Sequence, residues 1–326
     1  MWHIKVPAST ANLGSGFDAL GMALSLPLEC WFSLGDELEI TVRGQGQGVI
    51  PETPDNLVWK TADAVHQQVS GSPMPTGRLT IKSRIPLARG LGSSAAAIVA
   101  GIMLANTVLP ERLSREEMLR IATQLEGHPD NVAAALYGGF VLAFEQAGRV
   151  RVLSYPAPEL RCLIVIPEYK VSTEEARQVL PSTVPLEDAV FNAQRMALWI
   201  DALHRRDWSL LSEAGRDRLH QPYREPLVPG MGDLIDSALT HGASFAALSG
   251  SGPTVLALVP SDKVLDVAEA LSQAARRSVP HPVHLHDVTP SYFGAECVLD
   301  GWQWHAGQAM GFNTRLEDHV SHKAFS

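Results

Sequence analysis

The stretch that most limits what this chain can fold into lies between residues 79 and 106. Residues 79–85 alternate apolar and polar side chains, the period of a half-buried strand. They run into PLARGLGSSA (86–95), where two glycines precede two hydroxyls. Residues 93–106 follow, rich in Ala, Ile, Val and Leu. A helix that is apolar all round has to be covered on every side. A strand, a tight glycine turn and a fully buried helix in immediate succession therefore call for a layered fold of sheets and helices.

The rest of the chain extends that frame. Strands are expected over 2–6, 28–34, 38–42, 139–144, 161–166, 244–248, 254–259 and 283–288. Helices are expected over 55–69, 186–205, 208–220 and 261–278. Two further helices open on capping boxes, Ser114 with Glu117 and Ser172 with Glu175, the second spanning 173–179. The helix begun at Ser114 is expected to stop near Gly127, ahead of Pro129. Residues 7–16 are small and polar and read as a loop. Strands and helices mix without a strict βαβ rhythm, which favours α+β over a doubly wound parallel sheet. The 326 residues suffice for two domains, divided here as 1–150 and 151–297 with a joint near 149–158, leaving a tail, 298–326, with no evident role.

Composition excludes several functions. With 26 Lys and Arg against 35 Asp and Glu the net charge is −9, and no basic patch offsets it, so nucleic acid is not an expected partner. No apolar run approaches the ~20 residues of a membrane span, and residues 1–7 lack the pattern of a signal peptide. A cytoplasmic protein is expected. Cys30, Cys162 and Cys297 form no CxxC pair and read as buried thiols. His284 and His286 share a strand face, but no HExxH motif or cysteine accompanies them as a metal set.

The turn at 86–95 has the chemistry of a phosphate cradle. Glycines let backbone N–H groups converge on one anion, and the following helix offers its free N–H groups and positive dipole end. Ser93 and Ser94 add hydroxyls, one for a phosphate and one for Mg²⁺. The loop is neither GxxxxGK[ST] nor GxGxxG, and by itself it also fits a serine-capped strand-to-helix turn. Two other segments concentrate polar groups. EGHPDN (126–131) gathers two carboxylates, an imidazole and an amide, and Glu126 can complete a Mg²⁺ site with Ser94. VPASTANLGSGFD (6–18) presents Asn12 and Asp18, residues that also serve turns.

Taken in order with LSGSGPT (248–254), these motifs resemble the GHMP kinase superfamily, and the first and third resemble the homoserine kinases within it. The match covers roughly residues 2–297. The resemblance implies a domain like ribosomal protein S5 domain 2 followed by a ferredoxin-like domain, often as a homodimer. It implies ATP and Mg²⁺ as cofactors and L-homoserine as the small-molecule substrate, in threonine biosynthesis. Residue by residue, Pro86, Leu87, Ala88, Arg89, Gly90, Leu91, Gly92, Ser93, Ser94 and Ala95 fall on the nucleotide loop, and Ser94 and Glu126 on the metal site. Asp18, His128, Asp130, Arg177, Arg224 and Gly250 fall in the amino-acid pocket, with Asn12, Asn131 and Thr173 beside the reacting groups. Two arginines suit one carboxylate, because each guanidinium bonds bidentately. Mevalonate-kinase-like members carry a lysine in the N-terminal loop, where this chain has Ala8, Ser9 and Thr10. A kinase for mevalonate or a sugar is one competing reading, and a non-catalytic ligand sensor is the other.

Overall fold

A computed structural model of the protein describes residues 1–299 and the backbone of 302–305. In chain order the first half comprises β1 (Trp2–Ala11), β2 (Leu20–Leu34), β3 (Glu39–Gly44), α1 (Leu57–Ser70), β4 (Gly77–Ser83), α2 (Ser93–Val108), α3 (Arg115–Glu126), α4 (Asp130–Tyr137), β5 (Phe140–Gln146) and β6 (Arg149–Tyr155). The second comprises β7 (Arg161–Pro167), α5 (Thr173–Gln178), α6 (Leu186–Arg205), α7 (Leu211–Ala214), α8 (Gln221–Arg224), α9 (Met231–Thr240), β8 (Phe245–Leu248), β9 (Val255–Val259), α10 (Val264–Ser278), β10 (Val283–Val288), β11 (Glu296–Leu299) and β12 (Trp302–His305).

Two sheets result. The first runs β12-β11-β1-β2-β4-β3, with β5 and β6 added along the near end of β2. Fifteen-residue β2 organises it, pairing with β1 on one side and with β5 and then β4 on the other. Its alternation places Leu28, Cys30 and Phe32 in the core. Helix α2 packs on that face, buried from Ala95 to Thr107, and so has the covering its sequence requires. The second sheet runs β10-β7-β9-β8, all antiparallel. Numbered within this half, that order is 4-1-3-2, and helices separate the first and second strands and the third and fourth. This is the βαββαβ arrangement of ferredoxin-like domains, as the resemblance implies.

The chain departs from the sequence reading in several places. Residues 7–11 continue β1 and are not loop. Pro7 sits opposite Pro27 where the register shifts, a position that asks no N–H of either ring. Ser9 and Thr10 are buried despite their polarity, because Ser9 Oγ donates to Asn131 Oδ1 (2.9 Å) and Ser249 bonds Thr10 (2.8 Å). Residues 208–220 are not one helix. A 3₁₀ turn (Trp208–Leu210) and α7 give way at Gly215, and the Asp217 carboxylate then takes the N–H groups of Leu219, His220 and Gln221 at 2.7–3.0 Å. Helices α4, α8 and α9 were not anticipated. The proposed divisions at 150/151 and 297/298 fall inside β6 and β11, both strands of the first sheet. Of the tail, 300–301 and 306–326 lie outside the described residues. The three cysteines are buried and unpaired, and burial holds each thiol well above its ordinary pKa. No helix of the described residues is long and apolar enough to cross a membrane.

Candidate active site

One cleft of about 300 Å³ lies between the two sheets. Seventeen of the twenty residues singled out from the sequence line it. The exceptions are Pro86, Leu87 and Ala95; Ala95 is interior to α2. Three lining residues were not singled out: Val171, Ser172 and Ser251. The signals for the last two were present, since Ser172 caps α5 and Ser251 sits in the glycine-rich turn.

One end of the cleft is formed by the start of α2. Its N-cap, Gly92, has no side chain to cap the helix, so the first-turn N–H groups face the cleft with no side-chain acceptor. Loop 249–252 braces this turn: Ser249 Oγ donates to the Gly90 carbonyl at 2.7 Å. Arg89 is tied back, donating through Nε to Pro167 O at 2.9 Å, and its burial lowers its pKa.

At the far end of α3, Glu126 Oε2 accepts from Ser94 Oγ at 2.9 Å. Burial raises the Glu126 pKa above the ordinary carboxylate range, against the smaller opposing pull of Ser94. A half-buried carboxylate and a hydroxyl, both oxygen donors at the mouth of a helix N-terminus, match what Mg²⁺ accepts from protein while it keeps several waters. The next residues form a chain of bonds. Asp130 Oδ1 accepts from the Asn131 N–H (2.7 Å) and faces His128 Nδ1 (3.3 Å). That bond to Asp130 raises the His128 pKa. Asn131 Oδ1 is occupied by Ser9, which leaves the amide NH₂ to face the cleft.

The opposite wall carries the charges. Asn12 stands at φ 70° and Asp18 at φ 54°, in left-handed backbone that non-glycine residues adopt mainly where a site demands it. Asn12 bonds Gly250 O through its amide nitrogen (2.9 Å) and the Asp18 N–H through its oxygen (3.0 Å). It thus braces the loop, the turn role that its sequence context also allowed. Arg177, on α5, forks onto Asp18 at 2.7 and 3.2 Å. Arg224, on α8, is buried. It donates through Nε to Ala176 O (3.1 Å) and through Nη1 to Gly250 O (3.0 Å), which leaves Nη2 without an acceptor among the described residues. Desolvation, with Arg177 nearby, lowers its pKa to about 10. Thr173 lines the cleft at the start of α5. The other histidines weighed as metal ligands lie elsewhere: His284 pairs with Glu168 (2.8 Å), its ring 6.3 Å from that of His286.

Below Arg224 lies His220, fully buried, with a pKa lowered chiefly by desolvation. The unfolded chain therefore takes up a proton near pH 6.5 that the folded chain refuses, so this group costs stability as pH falls below that value. His128, with its raised pKa, works in the opposite sense: its contribution is present below pH 6.5 and lost as pH rises through the folded value. Denaturant midpoints of wild type and His220→Gln should therefore differ in slope between pH 7.5 and 5.5. The wild type loses up to about 1.4 kcal/mol per unit more, and parallel slopes would refute this account.

The chain is similar to known proteins over most of its length. Residues 56–139 match the model for the GHMP kinases N terminal domain, and residues 199–277 that for the GHMP kinases C terminal. A homoserine kinase of Carboxydothermus hydrogenoformans is 44% identical over 265 residues, 80% of this chain and 86% of that protein. One from Thermus thermophilus is 46% identical over 271 residues, 83% of this chain and 91% of that protein. Among solved structures, homoserine kinase from Cytophaga hutchinsonii superposes with a TM-score of 0.79 at 28% identity, covering 91% of this chain and 96% of its own. Mevalonate kinase from Methanococcus jannaschii shares the fold at 17% identity, with a TM-score of 0.65 over 88% of this chain and 98% of its own.

Proposed function

The chain belongs to the GHMP kinases and, within them, to the homoserine kinase family, and from that premise we propose that it transfers the γ-phosphoryl group of ATP to the side-chain hydroxyl of L-homoserine, a step of threonine biosynthesis. The observation that carries this reading is the charge layout of the cleft. Asp18 and Arg177 neutralise each other across it, with Arg224 beside them. A zwitterionic amino acid brings the same two charges: its ammonium replaces Arg177 at Asp18, and its carboxylate takes the freed fork and Arg224 Nη2. Mevalonate and sugars have no ammonium for Asp18, and sugars have no carboxylate either.

In the proposed reaction, the unused N–H groups of the α2 N-terminus hold the phosphates. Ser94 and Glu126 would hold Mg²⁺, which supplies charge neutralisation on the phosphates. The Asn131 amide orients the attacking hydroxyl, and Thr173 lies alongside. Asp130 serves to position Asn131 and His128. Phosphoryl transfer runs largely on positioning and electrostatics, so no strong base is assigned.

An ADP-release assay with Mg²⁺-ATP tests both statements. Turnover is expected with L-homoserine and not with mevalonate or galactose; silence on homoserine would sink the assignment. In the same assay Asp130→Asn should keep kcat within about tenfold of wild type. A loss in the 10²–10⁴ range typical of a missing general base would make Asp130 the base.

A further inference from the structure

Beneath the amino-acid side of the cleft is an imidazole that the proposed reaction does not use. His220 Nε2 lies 2.8 Å from the Gly14 carbonyl and 3.5 Å from Asp217 Oδ2. Both partners only accept, so Nε2 carries the hydrogen. Nδ1 then presents a lone pair, and Arg224 Nη1 stands 3.3 Å from it. The ring also stacks on Phe17, centroids 5.1 Å apart at 22°. The guanidinium groups of Arg177 and Arg224 lie 5.8 and 5.3 Å from the centre of that same phenyl ring. The histidine itself is held by the Asp217 carboxylate, which Asn192 anchors at 2.7 Å.

These contacts join the two segments that build the charged wall of the site. Gly14 and Phe17 belong to the loop that carries Asn12 and Asp18, and Arg224 rises from α8. Phe17 packs against the buried guanidinium, and His220 is hydrogen-bonded both to it and to the loop. We propose that His220 is a positioning residue for the amino-acid substrate: as the neutral Nε2–H tautomer it ties the Gly14 carbonyl to Arg224 and so sets the spacing at which ammonium and carboxylate are both met. This rests on the reading of the cleft as an amino-acid site.

Two substitutions separate its two bonds. Glutamine extends an amide nitrogen to about the place of Nε2 and has no acceptor where Nδ1 stood. Asparagine puts its oxygen near Nδ1 and does not reach Gly14. Homoserine dissociation constants are measured by calorimetry, and KM for homoserine and for ATP by ADP release. His220→Gln should raise both homoserine constants by about tenfold or more, the cost of losing a hydrogen bond to a charged group. KM for ATP should stay within about twofold. His220→Asn keeps the bond to charged Arg224 and loses only the one to Gly14, so it should raise the homoserine constants by less, about threefold. Unchanged homoserine constants in both variants, an equal rise in KM for ATP, or a weaker site in the asparagine variant than in the glutamine variant would each overturn the proposal. So would a lowered melting temperature with homoserine affinity intact. Wild-type protein that binds homoserine but releases no ADP would overturn the kinase reading alone, because the calorimetric comparison still decides the role of His220.

Discussion

Glu126→Ala is expected to lower kcat by about a thousandfold or more without destabilising the fold. The first half follows from the site. Glu126 is the carboxylate within reach of Ser94 at the α2 N-terminus, 2.9 Å away. A metal that stabilises charge on transferring phosphates is worth several kcal/mol, and ~4 kcal/mol corresponds to about three decades. The second half follows from burial. Desolvation raises the Glu126 pKa, so the folded chain binds its proton more tightly than the unfolded chain does. Above that raised value the ionised group opposes folding, and stability falls as pH rises through it. Removing the carboxylate at pH 8 relieves that cost at the expense of one hydrogen bond to a serine. The checks are ADP release against a Mg²⁺ titration and a thermal melt without metal. A variant with more than a tenth of wild-type kcat at ordinary Mg²⁺ would remove Glu126 from the metal site, and a clear drop in melting temperature would refute the burial argument.

Gly92→Ala should be nearly as damaging, through geometry alone. Gly92 has φ +65°, and a Cβ there would stand 2.0 Å from Ser9 Oγ and 3.2 Å from Asn131 Oδ1. Left-handed backbone already costs a non-glycine residue on the order of 1–2 kcal/mol. The collision adds to it, because Ser9 is fixed in buried β1 and bonded to Asn131. Relief requires moving the first turn of α2 away from β1, which misaligns the phosphate site and the Asn131 amide together. We expect kcat/KM for ATP to fall by about 10³-fold, since misplacement of about 1 Å in a positioning-dominated reaction costs roughly two decades before binding is counted. Gly148→Ala is the control. It has the same backbone strain at φ +72° but open space around the new Cβ, so about 1 kcal/mol of stability should be lost with activity unchanged. Equal activity losses in the two variants would mean that strain, and not the contact with Ser9, is responsible.

These predictions draw on different kinds of information, and the difference marks what was legible in the chain. Capping boxes at Ser114 and Ser172 formed as read, each with both reciprocal bonds. Helix α6 begins and ends where its periodicity says, and α2 is as buried as its composition requires. The glycine–serine turn, Glu126 and the 126–131 loop all reached one cleft. Such features are set within a few residues, by caps, glycine and hydrophobic period, so a single sequence suffices to find them. Helices α4 and α8 were missed because eight and four residues carry too little periodicity to register. Residues 208–220 misled for the same reason in reverse: a helical pattern was cancelled by one carboxylate, Asp217, taking three N–H groups.

Packing decided the rest. Residues 7–11 look like a loop because Ser9 and Thr10 are polar, and they are strand because Asn131 and Ser249, 122 and 239 residues away, satisfy their hydroxyls. Arg177, placed beside Asp18 by resemblance and by nothing local, meets it because α5 brings the two together across 159 residues. Arg224 and His220 acquire their roles only where α8 is buried beneath the substrate loop. The sequence alone determined the glycine–serine turn, the capped helices and the mixed α+β architecture, since their causes are local. The tertiary structure alone decided which charges meet across the cleft, because burial and desolvation act between segments that adjoin only after both sheets have formed.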